Sequence, residues 1–150
     1  MTDCVFCEIV AGRSPASTFY EDDLVFGIMT IGPVTEGHAM VISKQHAASL
    51  AELDEAVGRC MWTIAHRAAA AIRACGVRCE GVNLFLADGA AAAQEIFHVH
   101  LHVFPRYEGD GFGLTAEWGK KPPRAELDRV AARIRVAYEQ LWSDRSELTP

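Results

Sequence analysis

Short apolar segments bounded by glycine, proline and polar residues predict four β-strands. They cover residues 24–29, 39–42, 82–86 and 99–104. The breaker Ile31-Gly32-Pro33 separates the first two, and Asp88-Gly89 predicts a turn between the last two. The segment 39–42 is apolar throughout, which is typical of a strand that is buried on both faces.

Two longer segments repeat apolar residues at helical spacing. Asp54 can cap the first helix, which we expect to end near Cys75 because Gly76 is a favourable stop. The apolar positions of this helix are Val57, Met61, Ile64, Ala68 and Ile72. The second helix, about residues 124–142, has an apolar side made of Leu127, Val130, Ile134 and Tyr138. Strands followed by a helix and further strands predict an α+β domain, in which an antiparallel sheet packs on a long helix.

The acidic composition limits the partners of the chain. The 150 residues suit one domain, and 50% hydrophobic with 23% charged residues is an ordinary globular balance. The net charge of −6 provides no overall field that would attract a nucleic-acid backbone or an anionic membrane. We therefore expect no nucleic-acid partner and no membrane partner. Any phosphate must be held by a local site.

The N-terminus and the cysteines indicate the compartment. The first residues show neither a basic leader nor an apolar signal segment, and no apolar run approaches the ~20 residues of a membrane helix. The five cysteines form no spaced disulfide framework. We expect a reduced, cytoplasmic protein. The spacing of Cys4-x-x-Cys7 is the feature of these cysteines that indicates a site.

The densest chemical signal is the run of alternating histidines His98, His100 and His102. On a strand, alternate side chains share a face, so these imidazoles project to one side while the intervening apolar residues project into the core. Valine or isoleucine would pack better at the histidine positions. The imidazoles therefore form an array of donors and acceptors that titrates near neutral pH.

Three interpretations of this array are open from the residues alone. The first is a strand with a solvated polar face. The second is a catalytic metal site, since alternating histidines can chelate zinc and Glu95 could serve as the carboxylate base. The third is nucleophilic catalysis, in which a neutral imidazole attacks phosphorus while a backbone carbonyl holds its other N–H. We prefer the third interpretation.

The surrounding sequence resembles a known family. Residues 98–104 read His-Val-His-Leu-His-Val-Phe, which resembles the histidine-triad (HIT) motif His-φ-His-φ-His-φ-φ, where φ is apolar. Other segments similar to the family are 4–12 with Cys-x-x-Cys, 35–38 ending in Gly-His, 94–97 beginning with Gln, and 105–112 beginning with Pro-Arg-Tyr. The resemblance covers roughly residues 4–112 and points to the bacterial Hint-like and diadenosine polyphosphate hydrolase-like branch.

This resemblance implies a fold and an activity. The fold is an antiparallel sheet on one long helix, continued across a homodimer. Residues 1–150 would form a single HIT domain, with a core at about 4–112 and a C-terminal extension that carries the last helix. The activity is cleavage at the α-phosphate of a purine nucleotide through a nucleotidyl-histidine, followed by hydrolysis. The substrate would be a dinucleoside polyphosphate or a nucleoside phosphoramidate, and the residues do not decide between them.

By motif position, the resemblance also implies residue roles. His100 would be the nucleophile and His102 would contact the α-phosphate, while His98 and His38 would form the hydrogen-bond chain that orients the nucleophile. The implied substrate-binding residues are Val5, Phe6, Ile28, Thr30, Ile31, Ala93, Gln94 and Glu95. Of these, Val5, Phe6, Ile28 and Ile31 lie at positions similar to those that line the base pocket, although taken alone they would be core residues. Glu95 is either a proton donor to the leaving group or an exposed loop residue.

The Cys-x-x-Cys opening resembles half of a structural zinc site in this family. The implied ligands are Cys4, Cys7, His46 and His98. Two thiolates and two imidazoles make a closed tetrahedral set. Such a zinc would fix His98 and would take no part in catalysis, and unmetallated buried thiols are the alternative. No organic cofactor is expected.

Four positions depart from the family pattern. Thr30 stands where many members have an Asp that binds the ribose hydroxyls, and Ala87 replaces an Asn or Gln that reaches the nucleotide. The stretch 90–93 replaces a glycine-bearing segment, so that Ala93 adds a methyl group near the phosphate, and Glu95 is the fourth departure. These changes weaken the inherited grip on the nucleotide. Two alternatives therefore remain: a metal-dependent hydrolase that uses the triad as ligands, and a catalytically weakened nucleotide-binding protein.

Overall fold

A computed structural model describes residues 4–116 and 119–142 of the chain. The chain divides into two compact units, residues 1–112 and residues 113–150. The first unit contains two helices and a five-stranded antiparallel sheet in the order β1-β2-β3-β5-β4. Its elements are α1 (Val5–Val10), β1 (Thr18–Glu21), β2 (Val25–Met29), β3 (Ala39–Ser43), α2 (Glu55–Ala74), β4 (Gly81–Phe85) and β5 (His100–Arg106). The predicted α+β class and antiparallel sheet are confirmed.

The predicted strands and the long helix occur where the hydrophobic pattern placed them, with ends shifted by a residue or two. The side chain of Asp54 accepts a hydrogen bond from the N–H of Ala56 at 2.7 Å, which caps α2 as expected. The hydrophobic pattern did not predict α1 or β1. Strand β1 lies at the edge of the sheet, and its burial is slight, so it lacks the apolar alternation that marks a strand.

The connection between β4 and β5 differs from the predicted tight turn at Asp88-Gly89. Residues 86–99 form a longer loop that contains a short 3₁₀ helix, Ala90–Ala92. The buried side chain of Gln94 closes this loop, because it accepts from the N–H of Gly89 at 2.7 Å and donates to the carbonyl of Ala48 at 2.9 Å. A side-chain brace of this kind leaves no signature in the hydrophobic pattern.

Helix α2 covers one face of the sheet and makes the main core. The alternating apolar residues of β5, Val99 to Val103, point into this core as predicted. The members of the core that come from α2 are Val57, Met61, Ile64, Ala65, Ala68 and Ile72. The histidines of β5 occupy the opposite face, where α1 and the residue before it close a second, smaller core. That core comprises Cys4, Phe6, Ile28, Met40 and Ile42. Phe6 of α1 packs against the rings of His98 and His100, so these two imidazoles lie between the sheet and α1.

The second unit contains helix α3 (Arg124–Trp142), whose limits match the prediction. None of its described residues is buried, and the side chains of Leu127, Val130, Ile134 and Tyr138 are all exposed. No helix in the described part of the chain is both long and apolar enough to span a membrane.

Gly37 provides a test of how tightly the segment before His38 is packed. Its φ of +84° is in the left-handed region, and a Cβ there would lie 3.0 Å from Val77 Cγ1 and 3.2 Å from Pro105 Cγ. We expect Gly37→Ala to lower the free energy of unfolding by about 2–3 kcal/mol, because it adds backbone strain and a crowded methyl group. Urea unfolding followed by circular dichroism measures the change.

The matched control is Gly76→Ala, whose φ of +90° imposes the same kind of strain but whose Cβ would meet nothing within 4 Å. It should cost only about 1 kcal/mol. Equal losses in the two variants would contradict the packing argument for Gly37.

Candidate active site and metal-ligand cluster

The imidazole of His98 is fully buried, and both of its ring nitrogens face polar atoms. Its Nε2 lies 2.7 Å from the carbonyl oxygen of Ser43, at the end of β3. A carbonyl oxygen only accepts, so Nε2 carries the proton and donates it. Burial is the main cause that lowers the pKa of His98, while the Ser43 carbonyl opposes the shift. The neutral ring therefore keeps its lone pair on Nδ1.

Four metal-ligating groups converge on the Nδ1 side of this ring. Cys4 precedes α1 and Cys7 lies in its first turn, so their three-residue spacing puts both thiols on one side of the chain. His46 follows β3 and completes the group. The Sγ atoms of the cysteines and the donor nitrogens of His46 and His98 all lie within 4.8 Å of one another.

Four of the six separations between these donor atoms are close to the edges of a tetrahedral zinc site. Nδ1 of His98 lies 3.4 Å from Cys4 Sγ and 3.6 Å from Cys7 Sγ. Nδ1 of His46 lies 3.3 Å from Cys7 Sγ and 3.3 Å from His98 Nδ1. Zinc bonds of about 2.3 Å to sulfur and about 2.0–2.1 Å to nitrogen give tetrahedral edges of about 3.6 Å for S···N and about 3.3 Å for N···N. The donor set fits zinc, and His98 presents the lone pair that a metal needs.

His100 is held in the orientation that a nucleophile requires. Its Nδ1 lies 2.7 Å from the backbone carbonyl oxygen of His98, and this contact fixes the proton on Nδ1. The lone pair of the neutral ring is therefore on Nε2. The ring of Phe6 lies 5.1 Å from the His100 ring and covers one side of it, so that the imidazole is buried.

A second chain of hydrogen bonds fixes the proton of His102. The backbone N–H of Val34 donates to Nδ1 of His38 at 3.3 Å, so the proton of the neutral His38 ring is on Nε2. This Nε2 lies 2.9 Å from Nδ1 of His102 and donates to it. His102 consequently carries its own proton on Nε2. It can donate a hydrogen bond from that nitrogen without being charged.

Burial keeps this pair neutral. Desolvation lowers the pKa of His38 to about 4 and is the largest cause that lowers the pKa of His102 to about 4. The neighbouring imidazoles of His100 and His38 add to the shift at His102. At neutral pH both rings are therefore uncharged, and the proton positions follow from the hydrogen bonds.

The orienting chain expected from His98 and His38 together is wrong in its connectivity. His38 bonds to His102, whereas His98 holds His100 through its backbone carbonyl and uses its ring on Ser43 and on the cysteine side. The ladder explains the difference. Ile42 pairs with His100 and Met40 pairs with His102, so His38, two residues before Met40 along the chain, lies towards the far end of the triad.

The four apolar residues expected at the base pocket differ in how far they are buried. Phe6 and Ile28 are buried in the smaller core, but Val5 is 45% exposed and Ile31 is fully exposed. The expectation that all four would otherwise be core residues is wrong for these two. Val5 begins a six-residue helix with its side chain outward, and Ile31 lies in the irregular segment that follows β2.

The remaining candidates lie in two loops. Thr30 follows β2, is half-buried and donates its backbone N–H to the carbonyl of His38 at 3.2 Å. Glu95 is exposed. Gln94 is buried and its side-chain amide is hydrogen-bonded within the loop, so its contact with substrate stays a prediction. Ala93 has a φ of +64°, and its N–H bonds to Ala90, so this N–H is not available to a phosphate.

Several contacts of the site could not be found from sequence. Ser43 acts through its carbonyl group, which any residue provides. Phe104 lies 4.2 Å from the His38 ring and 5.3 Å from the His102 ring, and an apolar residue at that position predicts no such stacking. The guanidinium of Arg106, at the end of β5, donates to Asp110, Asn83 and the carbonyl of Phe112, and no sequence pattern predicts these contacts.

Comparison with known proteins places this geometry in a family. The HIT domain pattern matches residues 11–109. Solved structures similar to this chain include a HIT family protein from Bacillus anthracis, at 34% identity and a TM-score of 0.82 over 90% of this chain and 96% of that one. Another is a zinc-bound histidine triad family protein from Mycobacterium smegmatis, at 40% identity and a TM-score of 0.71 over 94% of this chain and 96% of that one.

A sequence relative with a named activity is adenylylsulfatase HINT3 of Arabidopsis thaliana. It is 39% identical over 133 residues, which are 88% of this chain and 66% of that protein. The triad on β5, the long helix behind the sheet and the domain match agree with one another. The chain belongs to the HIT family.

Proposed function

We propose that this protein is a nucleotide hydrolase or nucleotidyl transferase that cleaves at the α-phosphate of a purine nucleotide through a covalent intermediate on His100. The observation that carries the proposal is the hydrogen bond from His100 Nδ1 to the His98 carbonyl, at 2.7 Å. It leaves a lone pair on Nε2 of a neutral imidazole, which is the form of histidine that attacks phosphorus.

The reaction has two steps in which the same nitrogen first gains and then loses a bond to phosphorus. Nε2 of His100 attacks the α-phosphorus, and the bond to the leaving group breaks with its electron pair. The leaving group takes a proton from solvent. Water then attacks phosphorus and gives up a proton to solvent, the N–P bond breaks, and its electron pair returns to Nε2 as the nucleoside monophosphate leaves.

His102 stabilises the charge that develops on the phosphate. Its Nε2–H is fixed by the chain from Val34 through His38, so the donor is in place before the substrate binds. A fixed donor in a buried site needs little reorganisation during the reaction. The anionic phosphate also favours protonation of this ring, which strengthens the contact as charge develops.

The substrate grip is weaker than the family pattern implies. The hydroxyl of Thr30 cannot accept two bonds from ribose as a carboxylate does, and its Oγ1 already accepts from Gly32 at 3.4 Å. Ala87 is buried and presents no polar group. We therefore propose that specificity comes from the α-phosphate and the leaving group. Candidate leaving groups are a nucleoside polyphosphate, an amine, and sulfate, the last suggested by the adenylylsulfatase relative.

We propose that Cys4, Cys7, His46 and His98 hold a structural zinc ion. The donor chemistry, the separations and the zinc-bound relative support this proposal. When bound, zinc would close a four-coordinate site and anchor α1 to the loop after β3. The ring of His98 would then be fixed at both nitrogens, and its backbone carbonyl would be held against His100.

A metal-dependent hydrolase that uses the triad as ligands has less support. The metal-capable cluster found among the described residues contains His98 but neither His100 nor His102. Nε2 of His102 carries a proton, because Nδ1 accepts from His38, so this nitrogen offers no lone pair to a metal.

We further propose a homodimer, because β4 has β5 on one side and is otherwise an edge of the described sheet.

Substitution of His100 tests the nucleophile. His100→Ala should lower turnover at least about 1,000-fold, because no other group on this face replaces the N–P bond. His100→Asn is the sharper variant, since its amide can still donate to the His98 carbonyl while Nε2 is gone. The measurement is chromatography of products from phosphoramidates, dinucleoside polyphosphates and adenylyl sulfate in the presence of a chelator.

The control is His66→Ala, an exposed histidine of α2 that should leave turnover within about 2-fold of wild type. Full activity in folded His100→Asn would contradict the proposal. Loss of wild-type activity in chelator while the protein keeps its zinc and its fold, with recovery on addition of a divalent metal, would favour the metal-dependent hydrolase. Binding of nucleotide without turnover across the panel would favour the weakened binding protein.

Removal of the metal tests the zinc site. We expect one zinc per chain by plasma mass spectrometry, and the double variant Cys4→Ser/Cys7→Ser should lose it. The melting temperature should fall by about 10 °C or more, because a structural zinc contributes several kcal/mol to folding. Cys75→Ser, at an exposed thiol outside the cluster, should retain zinc and stability. Zinc at wild-type stoichiometry in the double variant would show that the metal is held elsewhere.

A further inference from the structure

We propose that Phe112, with Phe104 and Arg106, is a positioning element for the His38–His102 pair, and that Phe112 acts on the reaction through these histidines without touching substrate. The inference rests on the proposed function of His102 as the donor to the α-phosphate. It concerns residues beyond the triad, in the loop that follows β5.

The element is a continuous stack of planar groups. The guanidinium carbon of Arg106 lies 4.5 Å from the centre of the Phe112 ring. Phe112 stacks on Phe104 at 5.2 Å with an interplanar angle of 22°, and Phe104 stacks on His102 at 5.3 Å and 14°. Phe104 also packs against His38 at 4.2 Å. One ring thus contacts both members of the hydrogen-bonded pair, and Phe112 backs that ring.

Arg106 fixes the loop that carries Phe112. Its guanidinium donates to both carboxylate oxygens of Asp110, at 2.6 and 3.1 Å, to the carbonyl of Phe112 at 2.7 Å and to Asn83 on β4. Asp110 in turn accepts from the backbone N–H groups of Tyr107 and Phe112. The position of the Phe112 ring is therefore determined by a closed set of hydrogen bonds at the end of β5.

The stack packs an apolar ring against both histidines and places no uncompensated charge beside them. Arg106 is paired with Asp110, whose pKa is held well below its usual range by that guanidinium and by the two backbone N–H groups. The titratable group that faces His102 from β5 is His100, and the ladder partners Met40 on β3 and Phe85 on β4 are apolar. The contribution of the stack is therefore to bury the two imidazoles, and this burial lowers the pKa of His38 and His102.

This packing matters for the reaction because, without it, the N–H donor of His102 would be misplaced or solvated. A small error in the direction of a catalytic hydrogen bond lowers the rate of the chemical step more than it lowers binding. Water at the pair would also compete for Nδ1 of His102 and loosen the bond from His38. The stack thus holds the bond at 2.9 Å that determines which nitrogen of His102 carries the proton.

The test is Phe112→Ala, with Tyr107→Ala as the matched control. Tyr107 lies in the same loop and stacks under Arg78 at 4.4 Å, but its ring contacts neither histidine among the described ring pairs. Two readouts are combined: titration of His38 and His102 by NMR, which needs no substrate, and the kinetic constants on the best substrate of the panel. Phe112→Tyr keeps the planar ring and serves as the rescue.

We expect Phe112→Ala to raise the pKa of His102 from about 4 towards the ordinary value of about 6.5. It should lower kcat about 10-fold while KM changes by less than about 3-fold. Phe112→Tyr should restore both readouts, and Tyr107→Ala should match wild type. Should Phe112→Ala fail to fold, Phe112→Leu retains apolar volume without a plane and should shift both readouts in the same direction.

Titration of His102 that is unchanged in Phe112→Ala, or in Phe112→Leu where only that variant folds, would overturn the inference even if kcat fell. A matching shift in Tyr107→Ala would also overturn it, because the effect would then belong to the loop as a whole. Absence of turnover in wild type would contradict the proposed function alone, since the titration still tests the stack.

Discussion

The hydrogen bond from the buried His98 ring to the Ser43 carbonyl is the constraint on which the site depends. It links the end of β3 to His98, two residues before the start of β5, and determines which nitrogen of His98 is protonated. Two contacts of His98 follow. Its unprotonated Nδ1 faces the two cysteines and His46, and its backbone carbonyl accepts a hydrogen bond from His100. A buried group whose polar atoms are all hydrogen-bonded has one low-energy arrangement, so His98 orients both the proposed metal ligands and the proposed nucleophile.

Under the proposed function, the two histidine chains have different roles in phosphoryl transfer. One chain places the ring proton of His100 on Nδ1, and the other places the ring proton of His102 on Nε2, although both imidazoles lie on the same face of β5. Burial keeps His102 and His38 neutral, because it lowers the pKa of each to about 4. The proposed phosphate contacts would need no general positive field in this acidic chain, because the hydrogen bonds that orient His100 and His102 lie within a small part of the sheet.

The sequence was sufficient for those features that follow from side-chain periodicity. The strict alternation at 98–103 predicted one face for the histidines and the other for the core, and the structure has both. The helical spacing from Val57 to Ile72 likewise predicted α2. Periodicity says nothing about backbone acceptors or about loops that are closed by side chains. Ser43, the brace of Gln94 and the engagement of Arg106 by Asp110 therefore became visible only in three dimensions. The resemblance to the family placed His46 beside the cysteines, which local spacing could not do because the ligands come from distant parts of the chain.

The most direct test is the protonation of the two catalytic nitrogens, measured by ¹⁵N NMR of histidine-labelled protein at neutral pH. The signals are assigned with the His100→Asn and His66→Ala variants. The account predicts a neutral His100 with its proton on Nδ1 and a neutral His102 with its proton on Nε2. A His100 ring protonated on Nε2, or charged at neutral pH, would contradict it, because the ring would then have no lone pair with which to attack phosphorus.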